Sequence, residues 1–525
     1  MKRAKVKNQD EHSIIALDKF ILATRDSGYK GTSSAVAELI DNALQANANQ
    51  ISVWIRDDNE DPEDAIVIAV QDDGHGMDVK TLRQALRFGA STRFNDRAGT
   101  GRYGMGLPNS SLSQARRVEV YTWRSPRSTV WTYLDIDQIV ERRMSEVPTP
   151  VSAKQPPYCP SSSSNSGTTI IWRHCDRLDH RRPATLSRNL LSFLGRVFRY
   201  YLWRGVKITV NGEQVRAIDP LFLQKHSTFA GAREFGEQIK YEMTGLSLKG
   251  APGPIGTITV RFAELPVEDW HNLPNDQKRR MGITDQPVVS VVRGDREIDR
   301  GWFFMGSKRR ENYDDWWRCE VRFDAVLDER FGITHTKQQI HPTQDLLDVL
   351  AKDMETIARS LNLRVRQAHQ NLKSRTEVAI SEERAASEEH TLTPLPAPTA
   401  TERQKFAKAI ARNPLVKQWA SQNSDHRPRY AIFESQVDSP FFYEILRNDG
   451  VIAVLINRSH SFYKKLYVSL CESHNGEVRE LRTKIELLLL AAARSAELAT
   501  TTSAKKTLDE FRIDWSNTLA SYLKG

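Results

Sequence analysis

Three short segments between Ser33 and Gly106 constrain this chain more than any other feature. The first, SSAVAELIDNALQA from Ser33 to Ala46, places apolar residues at Val36, Leu39, Ile40 and Leu44, the three-and-four spacing of one buried helical face. Glu38, Asp41 and Asn42 lie three and four positions apart, on a second stripe of the same helix. A half-buried helix with that stripe sets oxygen ligands in a pocket. QDDGHGM (Gln71 to Met77) follows at the end of a strand, and GTGRYGMG (Gly99 to Gly106) follows that.

Each segment has a chemical reading and a plainer one. Asn42 offers a neutral oxygen that could complete a magnesium shell shared with phosphates and waters. Glu38, one turn earlier, is placed to orient or deprotonate a water; on the plainer reading both belong to the wet face of a surface helix. Asp72 closes a strand and opens a glycine turn. Its carboxylate could accept from an exocyclic amine such as adenine N6, or could close an ordinary Asx turn. GRYGMG fits GxxGxG without the βαβ surroundings of a dinucleotide fingerprint, and the P-loop pattern is absent. Its glycines precede a helix expected from about Pro108-Asn109, whose N-terminal N–H groups would suit phosphate oxygens.

Around this core, Ile51 to Arg56, Ala65 to Val70, Arg117 to Trp123 and Gly167 to Trp172 read as strands, giving a mostly antiparallel meander with helices on one face. A Pro/Ser-rich insert, VPTPVSAKQPPYCPSSSSNS, is expected to be mobile, and KITVNGEQV reads as a hairpin with an Asn-Gly turn. The expected organisation is α/β throughout. A domain over 1–215 is followed by a second α/β domain over 216–342, a helical arm over 343–390, a Pro/Thr linker over 391–402 and a small α/β domain over 403–525. Four scattered cysteines argue against a zinc site or disulfide framework and fit a reducing cytosol. No segment has the length and apolarity of a membrane span, so a cytoplasmic protein without membrane contact is expected. The net charge of +9, with KRR at Lys278 to Arg280 and Lys308 to Arg310, makes a polyanion a candidate partner; charge runs are also ordinary solvated faces.

Together and in this order, ELIDNA (Glu38 to Ala43), DDGHGM (Asp72 to Met77) and GRYGMG (Gly101 to Gly106) resemble the GHKL ATPase superfamily of gyrase B, the ninety-kilodalton heat-shock chaperone, histidine kinases and MutL. Bacterial MORC-like ATPases look nearest, through FGASTR at Phe88 to Arg93. The resemblance covers about 1–390 and implies a Bergerat-fold α/β sandwich followed by a transducer-like domain. It implies ATP and Mg2+ as ligands, Glu38 as general base and Asn42 as the magnesium ligand. Asp72 would contact adenine, supported by Thr168, and Gly74, Gly76, Met77 and Leu107 would line the nucleotide. Gly101, Gly104 and Gly106 would form the phosphate-binding end of a lid. In THTKQQ (Thr334 to Gln339), Lys337 is the first candidate for a γ-phosphate sensor and Gln339 the second.

No phospho-acceptor helix, toprim-like acidic cluster or MutL-type endonuclease motif accompanies these segments. The implied function is a slow, ATP-gated dimeric clamp, acting on duplex DNA in bacterial genome maintenance or anti-phage defence. The alternative is a chaperone-like or signalling ATPase whose partner is a protein, such as an operon-encoded effector. Asn457 and His460 read as a site or, more plainly, as a strand-end turn with a satisfied histidine.

Overall fold

A computed structural model describes residues 16–29, 31–57, 66–89, 105–154, 156–160, 164–225, 229–246, 253–333, 339–420, 429–437, 439–448, 450–473 and 475–524. The chain divides into two compact units, Met1–Val365 and Arg366–Gly525.

The β-branched runs of the first unit form β1 (Gln50–Asp57), β2 (Ile66–Asp72), β3 (Arg117–Trp123), β4 (Val130–Asp135), β5 (Val151–Ser152), β6 (Gly167–Arg173), β7 (Lys207–Val210) and β8 (Glu213–Gln214). They make one sheet in the order β5-β4-β3-β6-β2-β1-β7-β8, which is not the expected meander. β6 enters between β3 and β2, antiparallel to both, and β7 pairs parallel with β1. A parallel pair needs a crossover, and the segment before β7 supplies helices for it.

The helices of this half are α1 (Leu17–Asp26), α2 (Thr32–Gln45), α3 (Val79–Ala85), α4 (Gly106–Gln114), α5 (Ile136–Val140), α6 (Pro183–Val197) and α7 (Arg199–Trp203). Alternate strand residues such as Ile51, Val53, Ile68 and Val70 form one core with Val36, Leu39 and Ile40 of α2 and Leu190 and Leu194 of α6. Strand period two and helix period near 3.6 thus meet on one face of the sheet. The opposite face shows Val67, Ala69, Tyr121 and Ile171, covered by Ala153 and Tyr158 from the Pro/Ser-rich stretch.

The expectation of a mobile insert is therefore corrected over its described residues. Cys159 is buried, Gln71 Nε2 donates to Pro160 O at 3.4 Å, and Trp123 Nε1 donates to Ser164 O at 3.2 Å. An uncovered apolar sheet face is costly in water, and this segment is what shields it. The Asn-Gly hairpin forms as expected: Asn211 and Gly212 take φ values of 50° and 85°, and the Ile55 N–H donates to Asn211 Oδ1 at 2.8 Å.

A second sheet in the same unit comprises β9 (Arg233–Thr244), β10 (Ile255–Glu264), β11 (Val289–Arg293), β12 (Arg296–Gly301) and β13 (Trp317–Phe323), in the order β12-β11-β13-β10-β9. The long helix Gln344–Glu388 lays Leu346, Leu350, Met354, Ala358 and Leu361 against this sheet. A buried charge cluster joins the two sheets' layers. Arg199 of α7, fully buried, donates to Glu297 Oε2 at 2.8 Å, Ser290 Oγ at 3.0 Å and Glu320 Oε2 at 2.5 Å. Arg196 pairs with the other oxygen of Glu297, and Tyr200 donates to Glu320 at 2.5 Å.

In the second unit β14 (Tyr430–Ser435), β15 (Tyr443–Asn448) and β16 (Val451–Asn457) form a sheet in the order β14-β16-β15. The end of the Pro/Thr stretch becomes a helix start, with Thr399 and Glu402 in a capping box. Asn457 takes its plainer reading. Its Nδ2 donates to Ser439 O and Phe441 O at 3.1 and 3.0 Å, and its Oδ1 accepts from Ser459 N at 3.0 Å. The His460 ring accepts from Phe462 N and reaches Ser516 O, both at 3.1 Å. No described helix is long and apolar enough to cross a membrane.

The Lys308 to Arg310 run is only partly an exposed basic patch: Arg309 and Arg310 are exposed, whereas Lys308 is buried. Lys308 is 4% exposed, 2.8 Å from both oxygens of the fully buried Asp314, with its ammonium over the Trp302 ring. Arg310 pairs with Asp315, and in the other run Arg279 pairs with Asp285 and Arg280 with Asp276. Asp314→Ala strands the Lys308 charge and should cost about 3–5 kcal/mol, read as a lower thermal unfolding midpoint. Joining it to Lys308→Met should recover the part due to the unpaired ammonium, while the Glu311 N and Trp317 Nε1 bonds to Asp314 stay lost. A double variant as unstable as the single one would count against the buried pair.

Candidate functional site

The helix α2 is held at its start by a reciprocal pair. Thr32 N donates to Asp179 Oδ2 at 2.8 Å, and Asp179 N donates to Thr32 Oγ1 at 3.0 Å. Thr32 Oγ1 in turn donates to Gln114 Oε1 at 2.9 Å, and Gln114 Nε2 donates to Tyr29 O at 3.0 Å. These bonds tie α2 to the end of α4 and fix the rotation of its polar stripe.

Glu38, only 3% exposed, lies against the first residue of α4: a Cβ on Gly106 would collide with Glu38 Oε1. Glycine is required there for close approach. The carboxylate thereby meets a helix N-terminus, whose unsatisfied N–H groups and dipole favour negative charge. Tyr29 is buried beside it; burial first, and then the Glu38 charge, push its phenol well above the usual range.

The expected stripe divides. Asn42 is half-buried, and among the described residues its side chain makes no hydrogen bond. Asp41 does not join it as a ligand but is buried, with Oδ2 2.7 Å from Nε of Arg296 on β12.

At the other end of α2 sits the Asp72 turn. His75 N donates to Ala46 O at 3.0 Å, and a Cβ on Gly74 would stand 2.8 Å from the Ala46 Cβ. Gly76 takes φ +67°, and a Cβ there would strike the Trp123 carbonyl. Asp72 ends β2 opposite Thr168 of β6, and Gly74 N donates to Asp72 Oδ1 at 2.8 Å. Burial pushes the Asp72 carboxyl up to about 6, against the opposing pull of the Gly74 and Thr168 backbone N–H groups.

Asp73, one residue on, serves the frame: its Oδ1 accepts from Asn49 N and Gln50 N at 2.7 and 2.9 Å. Thr122 Oγ1 accepts from Met77 N at 2.8 Å and contacts Thr168 Oγ1 at 3.3 Å, so β3 also anchors the turn.

Glu38, Asn42, Asp72, Gly74, Gly76, Met77, Thr168, Gly106 and Leu107 thus belong to elements packed on α2 or continuous with it. Between Glu38 and Ala46 the helix rises ~12 Å, separating a carboxylate end from a carboxyl-and-glycine end. The helix after the glycine run begins at Gly106, earlier than the expected Pro108-Asn109. Pro108 then falls in its first turn, where its missing N–H costs nothing. Gly101, Gly104 and Lys337 lie outside the described residues; Gln339 is described and exposed.

Arg296, Tyr29 and Thr122 are parts of this arrangement that the sequence does not signal. Arg296 and Thr122 are brought in by partners far along the chain, and Tyr29 by the turn before α2, with no local spacing to mark any of them.

Residues 29–168 match the family described as histidine kinase-, DNA gyrase B-, and HSP90-like ATPase. Protein MICRORCHIDIA 6 of Arabidopsis thaliana is 36% identical over 110 residues, which is 21% of this chain and 16% of that protein. MORC family CW-type zinc finger protein 3 of Mus musculus is 32% identical over 127 residues, covering 23% and 13%. ATPase MORC2 of Homo sapiens is 29% identical over 109 residues, covering 21% and 10%. A crystal structure of the N-terminal domain of a DNA repair protein aligns over 65% of this chain and 98% of its own, at 16% identity and a TM-score of 0.41. The chain resembles GHKL and MORC ATPases through its N-terminal domain, while its match spans a small part of the curated relatives' lengths.

The Asp72 environment has a consequence for stability. A carboxyl at about 6 when folded and 3.8 when unfolded binds more protons in the folded state between those values. Stability should therefore fall as pH rises from about 4 through about 6, by roughly 3 kcal/mol once both states are ionised. Asp72→Asn should lack that loss. Denaturant unfolding of both proteins across this window checks it, and parallel pH profiles would refute the buried-carboxyl account.

Proposed function

We propose that the first unit is a magnesium-dependent ATPase site, with adenine read at the Asp72 end of α2 and the γ-phosphate placed near Glu38. The observation carrying this reading is the packing of Gly106 directly on the Glu38 carboxylate while the glycine turn of Asp72 docks on the far end of the same helix.

The residues present fit the nucleotide and its metal. Gly74 and Gly106 let their backbone close on Ala46 and Glu38, the α4 N-terminus suits phosphate oxygens, and Asn42 keeps an uncommitted amide oxygen. Asn42 would hold Mg2+, which when bound neutralises phosphate charge. Glu38 would take a proton from the attacking water as it adds to the γ-phosphorus, and ADP leaves with the bridging oxygen. Lys337, or failing it Gln339, would report the γ-phosphate to the second sheet, acting as a transducer-like domain.

On this reading ATP draws two subunits together and slow hydrolysis releases them, in the cytoplasm. The net charge of +9 supports duplex DNA as what the clamp closes on, in genome maintenance or anti-phage defence. The burial of Lys308 and the local pairing of Arg279, Arg280 and Arg310 favour the alternative, a protein partner such as an operon-encoded effector. The regions 1–215, 216–342, 343–390 and 391–402 are then the ATPase, transducer, arm and linker, with 403–525 as an accessory domain.

Glu38→Ala should bind ATP with turnover reduced at least 100-fold, whereas Asp72→Ala should lose ATP binding, both read by equilibrium binding and phosphate release. Because adenine needs the ionised Asp72, wild-type affinity should weaken as pH falls below about 6. Equal turnover by wild type and Glu38→Ala would sink the base assignment. Light scattering of Glu38→Ala should show a dimer with Mg-ATP and a monomer without it. Retention of duplex DNA by that dimer through a salt wash supports the DNA clamp; a dimer that ignores DNA points to the protein partner.

A further inference from the structure

Away from Glu38 and Asp72, a cavity of about 450 Å³ opens between α6, the Ile218 to Phe222 loop, the helix Asn275–Met281 and strands β11 and β12. Its charge is one-sided. Arg196, Arg279, Arg280, Arg300 and Arg318 line it, against the carboxylates of Asp219 and Glu297.

Asp219 is spent on its own loop, whereas Glu297 pairs with Arg196 of the cavity wall as well as with Arg199 behind it. Asp219 accepts the backbone N–H groups of Leu221, Leu223 and Gln224 at 2.9–3.0 Å, and Glu297 is held by Arg199, Arg196 and Ser290. Arg318 is buried with its N–H groups on the carbonyls of Asp315, Trp317, Gly282 and Ile283, none of which carries a charge. Arg300 donates to the neutral amide of Gln286 at 3.1 Å. Burial first, and then the nearby guanidiniums of Arg300 and Arg199, push Arg196 well below its ordinary range. Guanidiniums so crowded gain from an anion that several can share.

Between these polar groups the wall carries Phe193, Phe222, Phe229 and Pro287. Phe222 takes φ +58°, a conformation that is a genuine outlier for a bulky side chain. The Asp219 bonds hold it there, with its ring against Trp270 and under the Arg318 guanidinium. Such strain persists where the surroundings over-determine it, and it gathers at ligand sites. A cavity of this size is within the small-molecule range, and its lining mixes guanidiniums with aromatic side chains.

We propose that this cavity binds a small phosphorylated anion bearing an aromatic ring, its phosphate held by Arg196 and Arg300 and its ring against Phe193 and Phe222. The site is separate from the proposed ATP site, although Ser33 in the first turn of α2 also lines it.

The test is calorimetric binding of 1-naphthyl phosphate to the full chain, read without turnover, so a protein that fails to hydrolyse ATP can still pass. One equivalent should bind to wild type and equally to Asp72→Asn. Arg300→Ala removes a side chain at the exposed edge of the cavity; it should keep the wild-type unfolding midpoint and bind at least tenfold more weakly. Phe193→Ala reads the other half of the site and should also bind at least tenfold more weakly. No binding to wild type overturns the proposal, as does unchanged affinity in both variants. Loss of binding in Asp72→Asn with affinity kept in Arg300→Ala does so too, because the probe then sits in the site already described.

Discussion

The first unit is organised about a buried ion pair. Asp41 on α2 and Arg296 on β12 meet at 2.7 Å with almost no exposure, so neither charge has water to fall back on. A buried charge without its partner is expensive, so removing either side chain alone leaves an uncompensated charge in the interior. The next residue of β12, Glu297, belongs to the Arg196–Arg199–Glu320 cluster, so one strand touches both the polar helix and the helices after the first sheet. Movement of β12 relative to α2 must break or remake charge contacts in a low-dielectric interior, which makes discrete arrangements more favourable than a continuum.

Glycine does the complementary work at the site itself. Gly74 and Gly106 let backbone approach α2 at its two ends, and Gly76 supplies a left-handed turn beside the Trp123 carbonyl. Removing side-chain bulk at three points brings one carboxylate against a helix N-terminus and buries another at the end of a strand. The opposite treatment of Asp72 and Asp73 follows from this packing. Adjacent identical residues diverge because strand alternation sends one inward and leaves the other to cap the start of β1. Burial pushes the carboxyl of the inward one, Asp72, up.

In the second unit the polar residues that invite a functional reading are mostly spent on architecture. Glu486, fully buried, accepts from Arg482, Tyr467 and Ser381, and Asn457 satisfies the backbone of a strand end. Buried polar groups of this kind are hydrogen-bonded because leaving them bare costs more than burial of their neighbours returns.

What the sequence determined alone was whatever depends on local spacing and local chemistry. The period of Val36, Leu39, Ile40 and Leu44 set α2; β-branched runs set β1, β2, β3 and β6; Asn211-Gly212 set its hairpin; and the order of the three polar and glycine-rich segments marked out most of the candidate site. Tertiary structure decided what depends on partners distant along the chain. It gave Asp41 an arginine more than two hundred residues away, placed β6 within the first sheet, and turned a Pro/Ser-rich stretch into a cover for an apolar face. It also buried Lys308 and made a strand of the polar segment Arg233–Thr244, whose edge position asks little hydrophobicity of it. The reason is the same throughout: periodicity encodes which face of an element is apolar, whereas the identity of the neighbour on that face is settled by the competition of long-range burial and charge pairing that only the folded chain resolves.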